Sequence, residues 1–355
     1  MGRGETVMAP MMETAVGKGS GRPPRIDLHV HLAGVGTQDS GCWISAAFRR
    51  RPTFLGLRAL HRITSHQMRT TVDQDWVARL SALTGASELD FAVVLGFDGV
   101  YDESGQVDWS RSQMIVPPEW VFEACRRYSN LLPGPSINPF RRDAVDAFDA
   151  AIEGGAVLIK WLPIVQGFDP ASPRIRPIYR RLADSGIPIL VHAGTGEVTF
   201  RTVDSRVGGL DRLLPALELG VRVIVAHGAA PIHFSREKSQ VPTLRAMLGR
   251  YPNLWVDNSA LASPSRFRHL PRFVADPLIR ERSLHGSDFP VVADSFYYPG
   301  RLSIPEIIRI QRERNGLQRE VLIKRAIGFP DAALYRAASV LSNLDRWAPV
   351  AHSRR

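Results

Sequence analysis

Several short segments of the chain place imidazole, carboxylate or amine groups directly after apolar runs. The first is Ile26-Asp27-Leu28-His29-Val30-His31, with two histidines two positions apart. Residues i and i+2 of an extended strand point to one face, so the two imidazoles enter one space. An isolated pair of this kind reads equally well as two solvated histidines past a strand end. Lys160 closes the run Ala-Val-Leu-Ile-Lys, although lysine is almost never fully buried without a partner and only four of the 45 basic residues are lysine. Its bland reading is a stem laid along apolar surface with the ammonium in water. Its reactive reading is an amine that has taken up carbon dioxide, giving a carbamate that bridges two cations. His192 closes an apolar run that starts at Ile187, and His227 closes another that starts at Val221. Each is followed by alanine and glycine, small enough to let a ligand approach. Asp288 follows Leu284-His285-Gly286-Ser287 and precedes Phe289-Pro290; alone it could as well cap a helix. As a set, four histidines and an aspartate offer nitrogen and oxygen donors that suit zinc, with iron, manganese or nickel as substitutes.

Such groups act together only if the elements carrying them converge. Apolar runs at 26–30, 91–96, 134–138, 156–160, 187–192, 221–227, 254–258 and 283–287 predict eight strands. Amphipathic segments at 72–83, 119–128, 141–153, 175–185, 210–219, 241–250 and 264–274 predict helices between them, with two more at 304–315 and 319–327. Pro118-Glu119 and Pro264-Ser265 are helix starts, and Gly186 and Gly220 are helix ends. Alternation of this kind builds a parallel sheet, either open or closed. The first strand is followed by no glycine-rich phosphate loop, which argues against an open nucleotide-binding sheet. Eight repeats favour an α/β fold of the (β/α)8 TIM-barrel type, whose active face lies at the C-terminal strand ends, where all of these residues fall. The segment 33–71 is too long for an ordinary connection and reads as an elaborated, functional loop over those ends. Trp161, Gln166, Glu197, His233 and Asn258 are candidates for a pocket wall. Arg49, Arg50 and Arg51 in the long loop are candidates for holding a carboxylate.

The bulk properties set the remaining limits. With 355 residues and 44% hydrophobic content, one large core is feasible. Residues 1–24 have no periodicity and read as a flexible lead-in, leaving 25–347 as the barrel and 348–355 as a tail. A formal charge of +10 would suit an acidic partner, but the arginines are scattered rather than gathered in a basic stripe, and no nucleic-acid-binding motif is present. Cys42 and Cys125 lie in unrelated segments without CxxC spacing, so no disulfide framework or cysteine zinc site is indicated. No apolar run approaches the ~20 residues needed to span a bilayer, and no secretory signal is evident. The expectation is a cytoplasmic protein that binds a small-molecule substrate, with neither nucleic acid nor membrane as partner and with a homo-oligomer left open.

The landmarks His29-Val30-His31, Lys160, His192, His227 and Gly286-Ser287-Asp288-Phe289-Pro290, in that order and on those strands, resemble the amidohydrolase superfamily over about residues 25–347. The resemblance implies a distorted (β/α)8 barrel with one or two divalent metal ions, zinc above all, and a metal-activated water that attacks an amide, ester or lactone carbonyl. Two branches diverge on details. The Gly-Ser-Asp-Phe-Pro ending is similar to the branch that contains aminocarboxymuconate semialdehyde decarboxylase and some lactonases, in which His227 would be catalytic and one metal bound. Lys160 is similar to the bridging carboxylated lysine of two-metal hydrolases, in which His227 would be a ligand. Hydrolysis and decarboxylation both remain compatible with the set. The expected ligands are His29, His31, Lys160, His192, His227 and Asp288. Asp288 and His227 are the expected acid–base residues, with Asp288 taking a proton from water.

Overall fold

The computed structural model describes residues 22–233, 235 and 237–347. Most of the expected lead-in and the whole of the expected tail lie outside the described residues. Eight parallel strands run β1 (Ile26–His31), β2 (Phe91–Leu95), β3 (Leu131–Gly134), β4 (Ile159–Trp161), β5 (Ile189–His192), β6 (Val223–Ala226), β7 (Leu254–Asp257) and β8 (Ser283–Leu284). The pairings β1-β2-β3 and β4-β5-β6-β7-β8 form two arcs. Single parallel bridges, Ser136 with Lys160 and Val30 with Phe289, join the arcs at both seams. The sheet therefore closes on itself, which removes both exposed edges. The third strand lies a few residues earlier than the apolar run 134–138, and Ser136 pairs only through its bridge.

The strands read as nearly continuous apolar runs because a parallel barrel is covered on both faces. Phe91, Val93 and Leu95 point inward with Leu132, Leu158, Leu190, Ile224, Ala226 and Leu284, while Ala92 and Val94 pack outward against the helices. The helix Ala332–Val340, which the sequence pattern does not predict, packs Ala337, Ala338 and Val340 onto the inward-facing group. Its alanine-rich stretch carries little periodicity from which to find it. Helices precede their strands through sharp turns; Arg176–Ser185 ends at Gly186 with φ 65°, a left-handed conformation that suits glycine. The expected helix 264–274 is shorter, forming only at Leu270–Ala275 and followed by Pro277–Glu281.

The long segment after β1 is structured. It folds into helices Ala46–Arg49, Pro52–Leu60 and Gln67–Thr70 and pairs Trp43–Ile44 antiparallel with Met114–Ile115. Buried Asp73, in the first turn of helix Val72–Gly85, fastens its start. The carboxylate accepts from the Val35, Gly36 and Thr37 amides at 2.8, 3.0 and 3.2 Å and from Ser40 Oγ at 2.5 Å. Among the described residues no helix is long and apolar enough to cross a membrane.

Candidate metal centre

Strand alternation places most of the expected residues. Lys160 stands two positions beyond inward-facing Leu158, and His192 two beyond Leu190, so both side chains enter the top of the barrel. Strand β1 does not alternate simply. Its register against β2 shifts between Asp27 and Val30, leaving Leu28 and His29 opposite Val93, a bulge that sets successive side chains on one side. Leu28 faces in, His29 and His31 follow it in, and Val30 packs outward. Asp27 acts from behind, its Oδ1 accepting from the His29 amide at 3.1 Å and the Ser287 amide at 2.9 Å. His227 also escapes alternation. Ala226 already faces in, so an extended His227 would turn outward; its φ of 54° swings the ring into the barrel instead.

The β8 end is sewn to β1. The Leu28 amide donates to His285 O, the Asp288 amide to His29 O and the His31 amide to Phe289 O, at 3.0, 2.8 and 2.8 Å. Gly286 permits this approach, because a Cβ there would lie 2.8 Å from His29 Cβ. Asp288 itself sits at φ 64°. Its Oδ1 lies 3.1 Å from His29 Nε2 and 3.0 Å from His31 Nε2, and these three form a group with every ligand atom within 4.8 Å of the others.

Two imidazole nitrogens and a carboxylate oxygen are a donor set that fits a divalent transition metal. The tautomer is also prepared for it. His29 Nδ1 lies 2.6 Å from Asp257 Oδ2, so a proton held there leaves the Nε2 lone pair facing the cluster. A second group of His29, His227 and Asp257 satisfies the same distance limit. Ser259 Oγ sits among its atoms, at 3.0 Å from His29 Nδ1, 2.8 Å from His227 Nδ1 and 2.5 Å from Asp257 Oδ1, which makes that group a hydrogen-bonded support for the first.

The other expected residues border the cluster. Lys160 Nζ lies 3.1 Å from His29 Nε2 and is buried. His227 stacks on His29 at 5.2 Å between ring centres, and His192 meets His227 edge-on at 5.3 Å. The His192 Nε2 contacts the Gly196 carbonyl at 3.1 Å, so its ring is present in the site but its Nε2 is engaged elsewhere. All six expected residues line one cavity of ≈ 200 Å³.

Burial governs the electrostatics. It pulls the Lys160 ammonium down to about 8 against the opposing fields of Asp257, Asp288 and Glu197, and it drives His227 well below the ordinary histidine value. Burial works against the Asp288 carboxylate too, but neighbouring His227 and His29 hold its pKa well below the usual range. For His29, burial and Lys160 oppose protonation, yet Asp257 and Asp288 outweigh them and the pKa lies above its ordinary value.

Of the candidates for a pocket wall, Glu197 lines the cavity. Trp161 is wholly buried in the core with Nε1 donating to Ile137 O, and Gln166 bonds Leu162 and Ser136 inside the protein. Asn258 lies behind the site, its Oδ1 accepting from Lys324 Nζ, and His233 belongs to a separate surface hollow. Arg49, Arg50 and Arg51 do not line the cavity, whereas Arg58 and Arg266 do. Asp257, Ser259, Arg266 and Lys324 were missed from the sequence. Asp257 did carry a signal, since it closes the apolar run Leu-Trp-Val-Asp just as the other site residues close theirs.

A family model described as amidohydrolase matches residues 26–310. A comparison with curated proteins finds no match. Among solved structures, an uncharacterized TIM-barrel protein from Bordetella bronchiseptica aligns with a TM-score of 0.52 at 16% identity, over 75% of this chain and 85% of its own. A 2,6-dihydroxybenzoate decarboxylase complexed with 2,6-dihydroxybenzoate aligns with a TM-score of 0.51 at 12% identity, over 92% and 99%. At these identities the likeness is one of fold, and the fold is a TIM barrel.

Proposed function

The chain belongs to the amidohydrolase family, and from that premise we propose that it is a metal-dependent hydrolase acting on the carbonyl of an amide, ester or lactone. The observation that carries this reading is the convergence of His29 Nε2, His31 Nε2 and Asp288 Oδ1 at the floor of the cavity. These three atoms would hold one divalent ion, zinc or another first-row metal. When bound, that ion supplies Lewis acidity to water and to a carbonyl oxygen.

The protein's own residues do the rest. Asp257 holds the His29 ring in the ligating tautomer and orientation. Asp288 offers a carboxylate oxygen that can accept a proton from water and return it to a leaving group. His227 is oriented by Ser259 at its Nδ1, which leaves Nε2 as a second site for proton transfer. Arg266 faces the cavity as a cation and Lys160 as an N–H donor, and both can hold a developing or resident negative charge.

Those two groups also favour a second reading, decarboxylation, in which they orient a substrate carboxylate; one solved structure that aligns over 92% of this chain is named a decarboxylase. Turnover in 18O-labelled water separates the two. Hydrolysis places the label in the product acid, whereas decarboxylation releases carbon dioxide without incorporating it. Release of carbon dioxide with no label in the organic product overturns the hydrolase reading.

A further inference from the structure

The cavity has two unlike ends. Its floor is the polar cluster of imidazoles, Asp288 and Lys160, and its walls are apolar. The elaborated segment after β1 supplies a large share of the wall, including Ile44, Phe48, Phe54, Leu57 and Met68, with Phe200 opposite. Phe48 stacks on Phe200 with ring centres 4.9 Å apart, and Phe54 meets Phe48 at 5.7 Å. The helix Pro52–Leu60 buries no residue fully, so Phe54 and Leu57 contribute more to the chamber than to the core.

Of the polar groups that line this wall, Arg58 and Glu197 have partners, while His61 Nε2 is buried without one. Arg58 donates to Ile63 O at 3.0 Å and to Ser65 Oγ at 2.6 Å, and Glu197 accepts from the Thr199 amide at 2.7 Å. One imidazole nitrogen can meet a single polar substituent, but the wall offers too few polar atoms to hydrogen-bond a sugar or a peptide backbone. A polar group pushed against such walls loses its water without replacement, while an apolar group gains by leaving water.

We infer that the substrate carries a bulky apolar group, of the size of a benzene ring or a branched or medium-length alkyl chain, next to the bond that reacts. An apolar cavity of about 150 Å³ takes up benzene, and this one measures ≈ 200 Å³. The apolar group lies against Phe48, Phe54 and Leu57, and the reacting carbonyl reaches the floor. The inference rests on the reading of that floor as the reacting end, and it assigns substrate selection to the segment 33–71.

Calorimetric affinities of the metal-loaded full-length protein for two probe series provide the test. One series is the straight-chain hydroxamates from two to six carbons, which a metal ion anchors; the other is the matching 1-alkanols, which it does not. Affinity is expected to rise about two- to fourfold per methylene in both series. Leu57→Asp and Phe54→Asp should flatten both slopes and leave acetohydroxamate unchanged, with the thermal midpoint of each variant reporting on folding. Flat slopes in the unaltered protein, or slopes that survive both substitutions, overturn the inference whatever acetohydroxamate does. Steep slopes with acetohydroxamate no tighter than ethanol keep the inference and count instead against the metal centre.

Discussion

Asp257 and Asp288 contribute carboxylates to the same few ångströms and do different work there. Asp257 meets the far nitrogen of His29, the His227 amide and Ser259, so Asp257→Asn should weaken metal binding without removing a ligand. Loss of such a support typically costs 10- to 100-fold in metal affinity; a competition titration that finds less than a twofold change would contradict the role. Asp288→Asn removes the proton acceptor, and general acid–base groups contribute about a hundred- to ten-thousandfold in rate. In protein loaded with metal to the same content, turnover should fall by that order. A fall under threefold with metal content unchanged excludes the acid–base role. Lys160 tests the number of metals. A charged ammonium 4 Å from a unit positive charge costs on the order of 4 kcal/mol at an effective dielectric of about 20, and a dication doubles it, so any metal held beside Lys160 favours its neutral amine. With its pKa pulled down to about 8, a fraction of the amine is neutral and open to carbon dioxide. Because Ser259 hydrogen-bonds within the His29, His227 and Asp257 group, the His29, His31 and Asp288 group leads us to expect one metal per chain, and Lys160→Ala to keep that metal with no effect of bicarbonate on reconstitution. Two metals, bicarbonate dependence and rescue of Lys160→Ala by short carboxylic acids would establish the carboxylated bridge instead.

At the scale of elements, the helix Gly316–Ile327 reaches into the barrel wall with a buried cation. Lys324 Nζ donates to Asn258 Oδ1 at 2.8 Å and to the Gly286 carbonyl at 2.6 Å, and it contacts Glu320 Oε1 at 2.9 Å. The loop that delivers Asp288 is therefore held from outside the site. Burial raises the Glu320 pKa to about 7 against the pull of Lys324. A carboxyl whose folded pKa exceeds its unfolded value of about 4.5 binds its proton more tightly in the folded state, so its contribution is full below pH 4.5 and is lost as pH rises through 7. Glutamine at this position cannot titrate. Compared with the unaltered protein, Glu320→Gln should therefore gain relative stability between pH 4.5 and 7, by on the order of 3 kcal/mol. Denaturation midpoints of both proteins across that range check it, and parallel curves would show that Glu320 is ionised throughout.

At the scale of the whole molecule, the closed barrel brings ligands from β1 and from the β8 end, more than 250 residues apart in sequence, across one seam. A metal there ties the first strand to the last. An ion held at about a thousand times its dissociation constant adds about 4 kcal/mol, and chelation should lower the thermal midpoint by several degrees and abolish activity together. Restoring one equivalent of zinc or manganese should recover both. A midpoint unmoved by a strong chelator, in protein shown to have released its metal, would mean that the seam needs no ion.

The eight strands, their order and the candidate residues His29, His31, Lys160, His192, His227 and Asp288 were legible in the sequence, because a parallel barrel buries both faces of every strand and sets its chemistry where each apolar run stops. Direction and partnership were not legible. The β1 bulge that turns His29 inward and Asp27 behind it, and the left-handed φ that brings His227 in, break the alternation from which facing is read. Lys324, Asp257 and Ser259 reach the site through neighbours distant in sequence, and the apolar chamber exists only once residues 33–71 fold back over the strand ends. Local pattern sets which residues stop a strand; only closure of the barrel decides what each then meets.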